Sequence, residues 1–203
     1  MAEEHRKYGD VIQGNFFDTY ENLTLKVVTG FQWIARYCPN VSVVAKIDDD
    51  VFVDTVKFIK VYIPIMKLKK KYILCNQAGS IIMRKGKWIM SDTNVLRHYT
   101  TYPWRYCSGF GVFISGDMIG RLYKAATMSP FLWVDDVYFS GVLPSKLHGV
   151  KYKYVPNRWL PSSENKQCLL RKDCRYIVAI VNQSDVRVIW NYFMNVRYRD
   201  EEF

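Results

Sequence analysis

Apolar and polar positions alternate along the chain in two rhythms, and each rhythm predicts a kind of element. Tyr20, Leu23, Val27, Phe31 and Ile34 recur at spacings of three and four, the stripe of an amphipathic helix. Asp18 is placed to cap that helix, and Pro39 closes it just after Cys38. The run Val41-Ser42-Val43-Val44-Ala45-Lys46-Ile47 is β-branched and almost wholly apolar, which predicts a buried central strand. A second helix is predicted from Asp54 to Pro64. Asp10 to Ile12, Tyr72 to Cys75, Phe110 to Ser115, Lys151 to Val155 and Arg175 to Val181 read as strands, and Asp117 to Thr127 as a helix. Ser184-Asp185 caps a last helix carrying Val188, Ile189, Tyr192, Phe193 and Val196. Strands alternating with helices predict an α/β layered fold with a largely parallel sheet. No repeat or linker interrupts the pattern, so one domain is expected over residues 1–203.

Composition narrows this picture. With 49% hydrophobic and 16% aromatic residues the chain has ample material for a core, which excludes a disordered protein. Its 29 Lys and Arg outnumber 19 Asp and Glu, a net charge of +10 that suits an anionic partner: nucleic acid, nucleotide phosphate or membrane surface. The basic residues Lys67, Lys69, Lys70 and Lys71, and the group Arg84, Lys85 and Lys87, read as solvated faces. No nucleic-acid-binding motif accompanies them, so nucleic acid is not an expected partner. No apolar stretch approaches the ~18–20 residues of a membrane span, and the charged opening MAEEHRKYGD does not read as a signal peptide or anchor. Five cysteines without a C-x-x-C pair, and three isolated histidines, fit neither a zinc site nor a dense disulfide scaffold, which leaves buried free thiols as the simplest reading. Three N-x-[ST] triplets begin at Asn22, Asn40 and Asn182 and point toward a secretory compartment.

Three segments could carry chemistry. Asp48, Asp49 and Asp50 follow the apolar strand directly; with strand alternation continued, Asp48 and Asp50 share a face and Asp49 points away. Crowded carboxylates repel, and a divalent cation with a taste for hard oxygen ligands relieves them; an acidic turn capping the next helix is the alternative. Asp135 and Asp136 stand among Phe131, Leu132, Trp133, Val134, Val137, Tyr138 and Phe139, where a carboxylate's pKa rises toward that of a general base; a helix N-cap is the alternative. Tyr102 to Ser115 places aromatics before Gly109 and Gly111, which suits a sugar-stacking wall with close backbone approach, or a glycine-permitted bend into a core strand.

Taken together these blocks resemble the family 31 glycosyltransferases, the β-1,3-galactosyl- and β-1,3-N-acetylglucosaminyltransferases. The resemblance rests on Tyr8-Gly9-Asp10-Val11-Ile12-Gln13, Asn22-Leu23-Thr24-Leu25-Lys26, Trp33, Cys38-Pro39, Lys46-Ile47-Asp48-Asp49-Asp50-Val51-Phe52-Val53, Lys87-Trp88, the Tyr102–Ser115 segment and Asp136-Val137-Tyr138 with Gly141, all in order. It implies a GT-A-like (Rossmann-like) mixed, largely parallel sheet flanked by helices and lacking its first strands. The implied reaction is inverting, metal-dependent transfer of a hexose or N-acetylhexosamine from a UDP-sugar to a glycan acceptor on protein or lipid, forming a β-1,3 linkage. Asp48, Asp49, Gly109 and Gly111 would contact the donor, Asp50 would ligate Mn²⁺ (or Mg²⁺), and Asp136 would be the base. Asn182 stands where the family has a histidine ligand, and Asp135 where it has Glu. A non-catalytic relative binding glycans or partner transferases is the alternative; a glycosidase does not account for the triple-Asp strand end.

The resemblance also implies a lumenal Golgi location, with a type II membrane anchor that this sequence does not contain. On that premise Cys168 pairs with Cys174 and Cys38 with Cys107, leaving Cys75 free. Glycans are expected at Asn22 or Asn40, and Asn182 is expected unglycosylated near Asp50.

Overall fold

The computed structural model describes residues 2–90, 96–155, 158–160 and 163–199. The chain opens with α1 (Ala2–Tyr8), which has Glu3 and Glu4 in its first turn and His5, Arg6 and Lys7 in its last. Such charges suit the helix dipole, but they make no apolar stripe, so periodicity does not reveal α1. Asp10 to Ile12, expected as a strand, is irregular and pairs with no strand among the described residues. The first amphipathic stripe forms α2 (Leu23–Tyr37), which buries Thr24 and Phe31. A 3₁₀ turn (Tyr20–Asn22) precedes it, so Asp18 lies too far upstream to cap α2 and pairs instead with Lys26 at 2.7 Å.

Two sheets follow. The first orders β1 (Val43–Ile47), β4 (Cys107–Ser115), β3 (Tyr72–Gln77) and β5 (Lys151–Tyr154); the second orders β2 (Val51–Val53), β7 (Val178–Ile180) and β6 (Trp159–Leu160). Only β3–β5 and β6–β7 are parallel; β1–β4, β3–β4 and β2–β7 are antiparallel. The expectation of a largely parallel sheet is thus corrected to a mostly antiparallel one. β1 and β3 do share a direction, as a crossover through helices requires, but the chain returns through residues 78–106 and lays β4 between them in the opposite sense. A second correction concerns β1, which is an edge strand with a half-buried pattern and an exposed Ala45 rather than a buried central strand.

Beyond β1 the chain turns at Asp48–Asp50, with the Val51 N–H donating to the Asp48 carbonyl at 3.2 Å, and enters the second sheet. Asp54 then caps α3 (Thr55–Lys57) by accepting the Lys57 N–H at 3.0 Å. The helix runs through a π turn (Phe58–Tyr62) into α4 (Ile63–Lys67), so Pro64 does not end it: proline lies in the first turn of the segment after the π turn, where a missing N–H is tolerated. The same device recurs farther on. After a 3₁₀ turn (Gly116–Met118) and α5 (Ile119–Met128), α6 (Asp135–Val137) passes through a π turn (Tyr138–Val142) into α7 (Leu143–Ser145), again with proline, Pro144, at its start. A 3₁₀ stretch (Ser163–Leu170) leads toward β7, and α8 (Gln183–Tyr192), ending in a π turn (Phe193–Arg197), completes the chain.

Packing follows the strand period. Ile73 and Cys75 of β3 enter the core shared with α2, α5 and the Asp135–Ser145 helix, while Leu74 between them enters the core between the sheets, with Phe58, Phe113 and Trp159. The second sheet's outer face packs Phe52 and Ala179 against Ile189 and Phe193. Cys75, expected free, forms a disulfide with Cys107, their Cα atoms 5.9 Å apart; Cys168 and Cys174, expected as a pair, are instead free thiols packed as apolar side chains in the core of the second sheet, and Cys38 is free as well. The expected Cys38–Cys107 pair fails because β4 is antiparallel: Cys38 lies by Gly116, beyond the end of β4, and Cys107 begins it. At about 3.4 Å per residue those two ends are ~27 Å apart.

Candidate active site

A cleft of about 1160 Å³ opens where β1 ends and β4 begins, and its walls include Asp48, Asp49, Asp50, Asp135, Asp136 and Gly109. Five of the expected site residues and the neighbouring Asp135 are thereby brought together from segments about 85 residues apart in the chain, a separation read off the numbering.

Asp136 is the best-enclosed of these carboxylates. Two anchors aim it. The Ser140 hydroxyl donates to the Asp136 carbonyl at 2.5 Å and accepts the Cys107 N–H at 2.9 Å, tying the start of the helix to the start of β4. The Thr24 hydroxyl donates to the carbonyls of Leu132 and Trp133, pinning the approach to α6 onto α2. β4 supplies the third contact through a bulge. Between the pairs Cys75↔Val112 and Gln77↔Cys107 the register advances two residues on β3 but five on β4. Gly109 lies in that bulge, so its peptide groups serve the site: its N–H donates to Asp136 Oδ2 at 2.9 Å, and its carbonyl accepts Lys46 Nζ at 3.1 Å. A Cβ at Gly109 would fall 1.7 Å from Asp136 Oδ1, so only glycine fits.

Burial first, and the neighbouring Asp135 second, push the Asp136 carboxyl up to about 7; Lys46 and the Gly109 N–H act in the opposite direction. Lys46 itself, on β1, is the residue that sequence reasoning did not single out. Its ammonium meets Asp48 Oδ1 at 2.5 Å and Asp135 Oδ2 at 3.5 Å and sits over the Phe139 ring. Burial alone would lower the Lys46 pKa; Asp135, Asp48 and Asp136 reverse this and hold it raised. A signal was present, since a lysine inside an apolar strand two residues before Asp48 points to the same side as that carboxylate.

The acidic triplet is a turn, so the expected sharing of a face by Asp48 and Asp50 gives way to the pairing of Lys46 with Asp48. Asp49 Oδ2 accepts Gln183 Nε2 at 3.3 Å, and the Asp50 carbonyl accepts the Val181 N–H at 2.8 Å. Asn182, between those two partners, therefore lies beside the triplet; it is exposed, heads α8 in an extended conformation and makes no capping bond with its side chain. Gly111 is corrected. A Cβ there would meet Val178 at 2.6 Å and the Trp159 indole nitrogen at 3.0 Å, and its carbonyl accepts that indole N–H, so this glycine serves the packing of the two sheets rather than the cleft.

Among the described residues no group of three His, Cys, Asp or Glu side chains converges on one point. A small hard cation bound to a nucleotide takes one or two carboxylates from protein and the rest from phosphate and water, and Asp50 offers one such carboxylate in the cleft wall. Farther out, the cleft mouth is aromatic. Trp88 donates from its indole to the Tyr20 hydroxyl at 2.7 Å, Tyr20 meets Trp133 edge-on at 6.1 Å, and Lys87 lies over the Tyr20 ring.

The family model described as Galactosyltransferase matches residues 1–155. The chain is 32% identical over 142 residues to a UDP-GalNAc:beta-1,3-N-acetylgalactosaminyltransferase 1 of Mus musculus, covering 68% of this chain and 41% of that protein. It is 33% identical over 149 residues to a Beta-1,3-galactosyltransferase 5 of Gorilla gorilla gorilla, covering 68% of this chain and 46% of that protein. The chain thus spans less than half the length of these curated relatives. The matched stretch contains all five cleft carboxylates, the bulge at Gly109 and the lysine that joins them; the chain belongs to the galactosyltransferase family, the glycosyltransferases of family 31 that its motifs resemble.

Proposed function

We propose that this chain is the catalytic part of a UDP-sugar-dependent β-1,3-glycosyltransferase that transfers a hexose or N-acetylhexosamine to a hydroxyl of a glycan on protein or lipid. The observation that carries the reading is Asp136: a carboxyl raised to about 7, in the wall of the cleft that also holds the acidic turn. A base poised near neutrality is what deprotonation of a sugar hydroxyl needs. Asp136 Oδ2 is held by the Gly109 N–H, and Oδ1 takes no hydrogen bond among the described residues, so Oδ1 accepts the proton. The acceptor oxygen then bonds to the anomeric carbon from the side opposite the diphosphate, the bond from that carbon to the phosphate oxygen breaks, UDP leaves, and the configuration inverts.

Asp48 and Asp49 orient the donor's hydroxyls, and the aromatic mouth at Tyr20, Trp88 and Trp133 gives the acceptor sugar faces to stack on. Asp50 and Asn182 would hold Mn²⁺ or Mg²⁺. When bound, the metal supplies Lewis-acid charge to neutralise the departing diphosphate. Residues 1–203 act as one domain in this reading. A Golgi location belongs to this reading through the family likeness; among the described residues no helix is long and apolar enough to cross a membrane.

The test is release of UDP from UDP-galactose and UDP-N-acetylgalactosamine, with and without Mn²⁺ and acceptor. Turnover should require Asp136, and wild-type rates for Asp136→Asn would remove it as the base. A non-catalytic glycan binder is the second reading, favoured by one observation: Lys46 neutralises Asp48 and so weakens the pull of the turn on a cation. Glycan binding by the chain without UDP release would select it.

A further inference from the structure

The helix formed by α3 and α4 is apolar on two sides, and only one of them is covered. Val56, Phe58 and Met66 are buried in the cores. Val61, Ile65 and Leu68, at spacings of four and three, form a second stripe that is 46%, 45% and 85% exposed. Lys60 and Lys67, seven residues apart, run beside this stripe, and exposed Lys69 and Lys70 follow Leu68. Residues 55–71 hold six lysines and no Asp or Glu. The charge continues onto the edge strand β5: the Lys71 carbonyl accepts the Lys151 N–H at 2.8 Å, and Lys151 and Lys153 are both exposed.

We propose that this face docks on a bilayer bearing acidic headgroups, with Val61, Ile65 and Leu68 entering the headgroup boundary and the lysines pairing with the lipid charge. Two features select a membrane. The lysines of residues 55–71 and of β5 outnumber the acid placed against them, Asp117, whose carboxylate accepts the Lys71 N–H, so the face is strongly positive and an acidic plane complements it. Leu68 projects outward instead of lining a groove, so a protein partner would need its own pocket for it, whereas a bilayer offers an apolar layer beneath the acidic one. Each lysine brought to such a surface strengthens binding roughly fivefold. The docking is independent of the catalytic reading, because none of these residues lines the cleft.

Co-sedimentation of the 203-residue chain with vesicles tests it, using phosphatidylcholine alone and phosphatidylcholine mixed with phosphatidylserine. Binding is expected to the acidic vesicles, to be weak to the neutral ones, and to fall steeply with added salt. Leu68→Ser should weaken binding several-fold with the salt dependence unchanged. Joint replacement of Lys67, Lys69 and Lys70 by Gln should weaken it roughly a hundredfold, at fivefold per charge, and flatten the salt dependence. Circular dichroism confirms that each variant is folded, and Asp136→Asn should bind vesicles as the wild type does. Equal binding to both vesicle types, no binding to either, or indifference to both sets of folded variants would overturn the proposal. Tighter binding to polyglutamate than to acidic vesicles would also overturn it and assign the face to an acidic protein.

Discussion

Asp48–Asp50 and Asp135–Asp136 present the same functional group to the same cleft, and their surroundings make them different reagents. The triplet lies in a turn between two sheets: Asp48 is two-fifths exposed and held by Lys46, Asp49 is held by Gln183, and Asp50 bonds through its backbone. Carboxylates so placed, within reach of water and of neighbouring donors, suit cations and sugar hydroxyls. Asp136 lies in the first turn of the Asp135–Ser145 helix against a bulged strand, with burial opposing its charge. It suits protons. Solvation, rather than residue type, divides the labour, and Lys46 joins the halves.

The largest test of this contrast is Asp136→Asn, which should lower turnover roughly 10²–10⁴-fold while sparing donor affinity. It should also change how stability depends on pH. The folded carboxyl holds its proton up to about 7 and the unfolded one releases it near 3.8, so the folded state binds more protons in between and loses stability as pH rises through that window. The Asn variant should lack this decline and be more stable at pH 8, by up to about 4 kcal/mol. A thermal melt series across pH checks it, and parallel profiles for the two proteins would contradict the burial argument. Asp50→Ala should abolish Mn²⁺-dependent UDP binding, seen by calorimetry, and barely shift the melting temperature, as befits an exposed turn.

Gly109→Ala sharpens the contrast from the strand side. The new methyl collides with Asp136 Oδ1, so a loss of about 1–3 kcal/mol in stability is expected together with lower turnover, measured by urea unfolding and UDP release. The smallest effect is that of Lys46→Met. Removing this cation lets the Asp136 pKa climb above about 7, so the rising limb of the rate against pH, which reports the deprotonated base, should move to higher pH. An unmoved limb would separate the two halves of the cleft electrostatically.

Much of this was legible from residue order. The stripe from Leu23 to Ile34 and the β-branched runs state their own geometry, and a carboxylate among aromatics announces a strained charge. Strand direction is not written in that way. Nothing local to Phe110–Ser115 says that it runs against its neighbours, and the misplaced Cys38–Cys107 bridge follows from that one error of direction; the Cys168–Cys174 miss has a different source, the packing of both thiols in the second core. Gly109 and Gly111 looked alike in sequence; their roles diverge because a bulge puts one against Asp136 and sheet packing puts the other against Trp159. A bulge exists only relative to a partner strand, so no single segment could foretell it.

The outer border of β1 leads in another direction. Among the described residues β1 pairs with β4 alone, so one side of a β-branched strand offers amide donors and acceptors in a row, without proline to interrupt them. Such a border recruits any extended segment that meets it, including another copy of itself. Losses on storage should then rise with protein concentration, which light scattering of a dilution series would check. A sugar chain on Asn40, exposed three residues before β1 begins, would stand at the end of that border as a hydrated guard.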